Sequence, residues 1–273
     1  RIEPGLSIDI TTTDELGQPW DFNKHSMRIK AKKRLDEQDP ELLVGSPMCT
    51  KYSSWQRINK LRDSAKYKRE RKHARRHMEF VCELYNQQLQ KGRLFLHEHP
   101  AQADFWEEPC IRRLLGNDKV YVVDMDQCQF GQQDSGGSPI RKPTRWMSNC
   151  THILEELDKS CRSQNGVCSR TRTPHTVCSG KTARDAAIYP FEMCKAIPKG
   201  FREEVMERKR RDKAAKLILP KSHGDLNDDE DVWGTRQQEA WMFINLVNQV
   251  SKYVDSVTGR PLDERLIKIA RAL

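Results

Sequence analysis

Two segments of the sequence each place a reactive side chain after a short apolar run. The apolar run 42–44 breaks at a Gly-Ser-Pro turn, and Cys49 follows that turn. A second apolar run leads into His97, Glu98 and His99, so that an acid lies between two histidines. A thiolate is a strong nucleophile, and a partly desolvated carboxyl group can hold a proton at neutral pH. The two residues could therefore act as nucleophile and acid, although position alone favours Cys49 as a small buried residue.

The elements that must position these residues read as an alternation of strands and helices. Apolar runs bounded by turn residues are typical of buried parallel strands, and ligands bind at the carboxyl ends of such strands in open α/β sheets. Strands are predicted at 5–10, 42–44, 94–96 and 120–124, with a basic extended return strand at 141–149. Helices are predicted from an Asn23 cap through Leu35 and over 80–89, with Gly92 as the C-cap. The alternation predicts an α/β fold with a parallel sheet.

The charge of the chain favours a polyanionic partner. The 273 residues carry a formal net charge of +9 at pH 7. Nucleic acid is the commonest partner of such a chain, and solubility alone is the alternative explanation. The most basic segment, 57–77, is predicted to be a mobile loop or a solvated helix start whose side chains could contact phosphates.

The cysteine content, the hydropathy and the composition indicate the redox state of the thiols, the absence of a membrane span and the size of the core. Nine cysteines are an odd number in a chain without secretory features, which favours reduced thiols in the nucleus or cytoplasm. The sequence contains no apolar run of about 18 residues, so we expect no membrane span. With 36% apolar and 32% charged residues, we expect a modest core with charged extensions.

A polar segment near the middle of the chain carries three cysteines and a histidine. Cys161, Cys168, His175 and Cys178 occur in a stretch rich in Ser, Thr, Arg and Gly that has little to bury. Three thiolates and an imidazole can form a closed tetrahedral zinc site. The spacing matches no common zinc finger, so ordinary thiols are the alternative interpretation.

The motifs at Cys49 and Glu98 resemble those of DNA cytosine-5 methyltransferases. Gly-Ser-Pro-Met-Cys49, followed by Tyr-Ser, is similar to the Pro-Cys nucleophile motif of the family. His-Glu98-His-Pro is similar to the family's Glu-Asn-Val or Glu-Asn-Pro motif. The segment from Asp126 to Gly131, continued by 141–144, resembles a later segment of phage-type members. These motifs follow the order of the family between Gly5 and Gly200.

The resemblance implies a fold, a reaction and a set of site residues. The fold would be a Rossmann-like, S-adenosylmethionine-dependent methyltransferase sheet with helices on both faces. The target cytosine would be flipped out of the duplex, the Cys49 thiolate would add to carbon 6, and Glu98 would interact with ring nitrogen 3. Carbon 5 would then accept the methyl group of S-adenosylmethionine. By the same resemblance, the cofactor would contact Asp9, Asp21, Ser46 and Pro47, and the DNA would contact Arg141, Lys142 and Thr144.

The sequence also departs from the pattern of the family. His99 stands where the family has Asn, Met48 stands where a second Pro is commoner, and Arg141-Lys142 stands for an arginine pair. The first glycine-rich cofactor loop of the family would precede Gly5. The rival function is therefore a non-catalytic nucleic-acid-binding module, and a third is a metal-stabilised interaction domain.

The composition of the chain predicts three segments. We expect a methyltransferase-like domain over 1–200, a charged helix with an acidic linker over 201–235, and a C-terminal helical segment over 236–273. The last segment includes an amphipathic helix predicted over 241–254. The tail from Tyr253 to Arg271 resembles the segment upstream of the reverse transcriptase in copia-like retroelement polyproteins.

Overall fold

The structure, a computed structural model, describes residues 3–53, 56, 61–218 and 240–244. It has an α/β architecture in which helices cover both faces of a mixed sheet. The strands are β1 (Glu3–Ser7), β2 (Leu42–Gly45), β3 (Leu94–Pro100), β4 (Tyr121–Asp126), β5 (Pro143–Ser148) and β6 (Ala240–Ile244). The helices are α1 (His25–Gln38), α2 (Ser64–Gln90), α3 (Pro109–Leu115), α4 (Thr151–Leu157), α5 (Gly180–Asp185) and α6 (Phe191–Ile218).

The strands lie in the order β1-β6-β2-β3-β5-β4. The four strands from β1 to β3 in this order pair in parallel, whereas β5 is antiparallel to both of its neighbours. The sheet is therefore mixed: it is parallel over these four strands and antiparallel at β5, the strand predicted at 141–149 as a return strand. A parallel connection needs a crossover, usually a helix, and the chain between β4 and β5 supplies only a 3-10 turn and a loop.

The alternation of side chains along β2 and β3 divides the apolar core into two layers. Successive side chains of a strand point to opposite faces. Leu43 and Phe95 pack with α1, α2 and α3 on one face of the sheet. Val44 and Leu96 pack with α4 and α6 on the other face. Both strands are buried along almost their whole length, which explains why they read as continuous apolar runs.

The first two helices follow the predicted apolar patterns, with one difference at an N-terminus. Met27, Ala31 and Leu35 form the buried stripe of α1, as predicted, but the helix begins at His25 and its N-cap position is Lys24, not Asn23. The basic segment 57–77 is helical from Ser64 onward, so the solvated-helix prediction is confirmed there.

The C-terminal part of the chain differs from its prediction. Residues 241–244, predicted as the start of an amphipathic helix, belong to strand β6, which lies between β1 and β2. A short apolar run fits a strand flanked on both sides as well as it fits a helical face, so periodicity alone could not separate the two. The predicted acidic linker at 221–231 and the retroelement-like tail lie outside the described residues.

Helix α6 covers the basic helical run predicted after residue 200. Within the described part of the chain, no helix combines the length and the apolar character needed to cross a membrane.

Candidate active site

The carboxyl ends of β2 and β3 lie side by side. The two strands are parallel and in register, with Gly45 opposite His97. Ser46 therefore directly follows β2 at the level of Glu98, which lies within β3 near its carboxyl end and pairs with Trp146 of β5. Position 45 requires glycine because the hydroxyl group of Tyr85 occupies the space that a Cβ atom would need. The local sequence thus brings the two predicted motifs to one edge of the sheet, where α/β folds bind ligands.

Glu98 is a buried acid with two hydroxyl donors on one oxygen. Its side chain accepts hydrogen bonds at Oε2 from Ser46 Oγ at 2.7 Å and from the Tyr189 hydroxyl at 2.9 Å. The two hydroxyl oxygens lie 2.6 Å apart. The hydrogen bonds among the described residues leave Oε1 of Glu98 unused. Burial and the neighbouring Glu98 charge raise the pKa of Tyr189 well above its ordinary value, so this hydroxyl stays protonated and donates.

Cys49 comes three residues after Ser46 in the sequence and lies at the surface. The residue is exposed, and the 3-10 turn Thr50–Tyr52 begins immediately after it. Crowding of the sulfur by protein atoms and the charge of Glu98 raise the pKa of the Cys49 thiol, while Lys142 acts in the opposite direction. The free protein therefore holds a thiol flanked by one acid and one cation.

Basic residues of α2 fix the loop that carries Cys49. The Arg71 guanidinium donates to the carbonyl oxygen of Lys51 at 3.0 Å and lies 4.1 Å from the centre of the Tyr52 ring. Glu108, only 3% exposed, pairs with Arg71 at 2.8 Å and with Arg75 at 2.9 Å. Arg71 therefore supports the loop, whereas Arg75, whose side chain is 52% exposed, pairs with Glu108.

Of the three predicted DNA-contacting residues, Lys142 lies near Cys49, Glu98 and Tyr189, and we call the region formed by these four residues the cleft. Its backbone has a φ of 34°, in the left-handed region, and its ammonium group donates to the Ala186 carbonyl oxygen at 2.6 Å. The same ammonium lies 5.9 Å from the centre of the Tyr189 ring. Thr144 is fully buried and donates to the Lys142 carbonyl oxygen at 3.1 Å, so it positions this turn instead of meeting a ligand. Arg141 is paired with Asp126 at 3.0 Å.

The two histidines beside Glu98 belong to the core of the opposite face. His97 and His99 are fully buried and stack on Phe105 with ring centroids 4.8 and 4.1 Å apart. Burial lowers the pKa of both imidazoles, that of His99 to about 3. Both rings are therefore neutral at physiological pH. Strand alternation alone separates them from Glu98, which faces the cleft.

The four predicted cofactor-contacting residues lie after two different strands and differ in burial. Asp9 follows β1, is 4% exposed, and accepts hydrogen bonds at Oδ1 from the Thr11 amide at 2.8 Å and its hydroxyl at 2.6 Å. Asp21 is half-buried and accepts from the backbone amide of Asn23 at 3.0 Å. Ser46 belongs to the Glu98 network described above, and Pro47 is buried next to it.

A basic groove of about 520 Å³ lies along the first half of α2. It is lined by Tyr67, Lys68, Arg71, Lys72, Arg75, Arg76 and Glu79. Lys68, Lys72 and Arg76 are exposed, and none of them has a carboxylate partner among the described residues. Because α2 begins after the carboxyl end of β2, this groove lies on the same side of the sheet as Cys49.

A second cluster of chemically reactive groups lies beyond the end of β4. The ligand atoms of Cys128, Cys161, Cys168 and His175 all lie within 4.8 Å of one another. Three of the four residues predicted for a zinc site are thus brought together, but Cys128 takes the place of Cys178. The turn 127–130 folds Cys128 into the group, while the chain at Cys178 has left it, so local spacing could not identify the fourth member.

Comparisons with protein-family models, with curated proteins and with solved structures gave no match to this chain. The sequence motifs identified Cys49 and Glu98 but not Tyr189, which lies 91 residues after Glu98. No local pattern around Tyr189 distinguishes it from a core tyrosine.

The charges around Cys49 predict opposite effects of two substitutions on its reactivity. Glu98→Gln removes a negative charge that disfavours the thiolate, so the pKa of Cys49 should fall. Lys142→Gln removes a cation that favours the thiolate, so the pKa should rise. The pH dependence of the alkylation rate at Cys49, followed by peptide mass spectrometry, measures both shifts. The control Arg141→Gln should leave the midpoint unchanged, and an unchanged or higher midpoint in Glu98→Gln would contradict the proposed electrostatics.

Proposed function

We propose that this chain is a DNA cytosine-5 methyltransferase-like enzyme that uses Cys49 as a covalent nucleophile and Glu98 as its acid partner. The observation that carries the proposal is the buried Glu98 carboxylate, held on one oxygen by Ser46 and Tyr189 next to an exposed cysteine. Its other oxygen, Oε1, accepts no hydrogen bond from the described residues. A nucleobase in the cleft would give that oxygen a partner.

The architecture supports a Rossmann-like methyltransferase fold. Helix α1 lies on one face of the sheet and connects β1 to β2. Helix α6 lies on the other face and precedes β6. Strand β6 lies between β1 and β2. Open α/β sheets bind ligands at the carboxyl ends of strands where connections to opposite faces diverge. Asp9 and Ser46 follow β1 and β2 at this edge, and Glu98 lies near the carboxyl end of β3.

The proposed reaction begins with addition of the thiolate to the base. The Cys49 thiol gives its proton to the Glu98 carboxylate, the sulfur forms a bond to carbon 6, and the electron pair of the double bond between carbons 5 and 6 moves towards carbon 5. Glu98 then passes this proton to ring nitrogen 3 as the charge develops. After substitution at carbon 5, water takes up the original carbon 5 proton, the electron pair left behind restores the double bond, and the thiolate is expelled. Nitrogen 3 returns its proton to Glu98, which returns it to the thiolate.

Neighbouring residues orient the Glu98 carboxyl group and the Cys49 loop and favour the Cys49 thiolate. Ser46 and Tyr189 fix the orientation of the carboxyl group through Oε2, and in the proposal Oε1 meets the base. Lys142 is the cation that favours the thiolate of Cys49. Arg71 holds the loop after Cys49 through the Lys51 carbonyl. Each contact reduces the reorganisation that the addition step requires.

In the proposal, the acids near β1 would hold the ribose of S-adenosylmethionine, which supplies the methyl group when bound. Asp9 already accepts a hydrogen bond from the hydroxyl group of Thr11, and a ribose offers the same kind of donor. Asp21 is a second acid on the loop that follows. In the proposal, these two residues hold the cofactor, and Ser46 acts on Glu98 instead.

The basic groove on α2 supports nucleic acid as the partner, and this support applies equally to the rival, non-catalytic function. Lys68, Lys72 and Arg76 could neutralise backbone phosphates without any cofactor. A non-catalytic nucleic-acid-binding module would use this surface and would show no chemistry at Cys49. The retroelement polyprotein origin and the nuclear or cytoplasmic location stay predictions.

Covalent trapping separates the enzyme from the binding module. Fluorine at carbon 5 prevents the final proton loss, so DNA containing 5-fluorocytosine should form a denaturation-resistant complex with the protein in the presence of S-adenosylmethionine. The Cys49→Ser variant should form none, and the matched control Cys194→Ser should retain it. Gel electrophoresis and peptide mapping measure the adduct; an adduct that persists in Cys49→Ser would exclude this nucleophile.

The basic groove makes a second, independent prediction about salt dependence. Replacing Lys68, Lys72 and Arg76 together by alanine should weaken DNA binding and reduce the slope of log affinity against log salt by up to about 2.7, since each phosphate contact contributes about 0.9. Fluorescence anisotropy at several salt concentrations measures the slope. An equal change in charge at Lys33, Lys91 and Lys119, which lie towards the amino ends of the strands, is the control. Equal slopes for the two triple variants would argue against the groove.

A further inference from the structure

We propose that Cys128, Cys161, Cys168 and His175 bind one zinc ion in a closed structural centre. Three thiolates and one imidazole are a common ligand set for structural zinc. This inference is independent of the proposed reaction at Cys49.

Two of the distances within the cluster match a tetrahedral ion, and all four ligand atoms lie within 4.8 Å of one another. The sulfur atoms of Cys161 and Cys168 lie 3.9 Å apart, and the Cys161 sulfur lies 3.6 Å from His175 Nε2. A tetrahedron with zinc–sulfur bonds of about 2.3 Å and a zinc–nitrogen bond of about 2.0 Å places two sulfurs roughly 3.8 Å apart and a sulfur and a nitrogen roughly 3.5 Å apart. The four side chains thus leave a space of the right size for this ion.

A hydrogen bond fixes the tautomer of His175 that a metal needs. His175 Nδ1 lies 2.9 Å from the carbonyl oxygen of Gly166. A carbonyl oxygen only accepts, so Nδ1 carries the hydrogen and the lone pair of the neutral ring is on Nε2, the atom that faces Cys161. Metal-bound histidines are typically oriented by such a donation from the other ring nitrogen.

The sulfur atoms also accept hydrogen bonds suited to thiolates. The backbone amide of Ser169 donates to the Cys161 sulfur at 3.4 Å, and the side-chain hydroxyl of the same residue does so at 3.5 Å. The amide group of Gln129 lies 3.4 Å from the Cys128 sulfur and 3.7 Å from that of Cys168. Donors around the ligands stabilise the negative charge that three thiolates bring to a zinc ion.

The segment that carries three of the ligands lacks any other core. Between residues 158 and 179, only Cys161 and Cys168 are buried. The apolar cluster in this region consists of Cys128, Cys161 and Cys168 alone. So little apolar surface cannot offset the entropy of ordering about twenty residues, whereas metal binding can supply that free energy.

The centre would join this segment to the connection between β4 and β5. The backbone amide of Cys161 donates to Asp126 at 2.8 Å, and Asp126 also holds Arg141. Thr176 forms an isolated bridge with Ile140. Zinc would therefore stabilise the turn that presents Lys142 to the cleft.

Zinc content tests the proposal on the full chain. Protein reconstituted with zinc and passed through a desalting column should contain one zinc per chain by elemental analysis. Cys128→Ser should lose most of it, whereas the matched control Cys178→Ser should keep one zinc per chain. Zinc retained in Cys128→Ser but lost in Cys178→Ser would overturn the ligand set.

A second measurement covers the case in which Cys128→Ser fails to fold. Cobalt(II) bound to the unaltered protein should give the intense visible absorption of a tetrahedral thiolate site, and His175→Cys should still bind cobalt with a shifted spectrum. A content near zero zinc in folded protein, an octahedral cobalt spectrum, or a Cys161–Cys168 disulfide found by mass spectrometry would each contradict the centre.

Discussion

The carboxylate of Glu98 is 6% exposed at the carboxyl end of β3, and a buried charge is costly unless donors replace the lost water. Ser46 and Tyr189 provide those donors from two other parts of the chain. Hydrogen bonds to a charged group contribute about 1.5–3 kcal/mol each, and removal of one partner costs the desolvation of the group that stays behind. This acid therefore requires that β2, β3 and the segment before α6 keep their mutual positions.

The alternation of β3 explains how one strand serves both the core and the cleft. His97 and His99 fill an aromatic layer against Phe105, where burial keeps them neutral. Glu98, between them in sequence, points to the other face and reaches the cleft beside Cys49. Arg71 of α2 completes the arrangement, because it holds the Cys49 loop through Lys51 and Tyr52 and is itself paired with Glu108.

Strand β2, which precedes Cys49, and strand β3, which carries Glu98, could be predicted because both are buried on two faces and begin with uninterrupted apolar runs. Parallel pairing then brings their carboxyl ends together without further information. Strand β6 could not be predicted, since its short apolar run also fits a helical face. Tyr189 and Cys128 reach their sites only through tertiary folding, from positions far along the chain, and no local spacing marks either residue. The histidines beside Glu98 suggested chemistry, but their burial shows that they pack instead.

Hydrogen exchange at carbon 5 of cytosine tests the central claim most directly, because it requires the covalent addition but no methyl donor. Protonation of the adduct at carbon 5 by solvent, followed by loss of the original hydrogen, should release tritium from DNA labelled at that carbon. The account predicts release by the unaltered protein, none by Cys49→Ser, and a rate lowered roughly 10²–10⁴-fold in Glu98→Gln, as expected for loss of an acid catalyst. Salt-sensitive DNA binding without any tritium release, or equal release by Cys49→Ser, would contradict it.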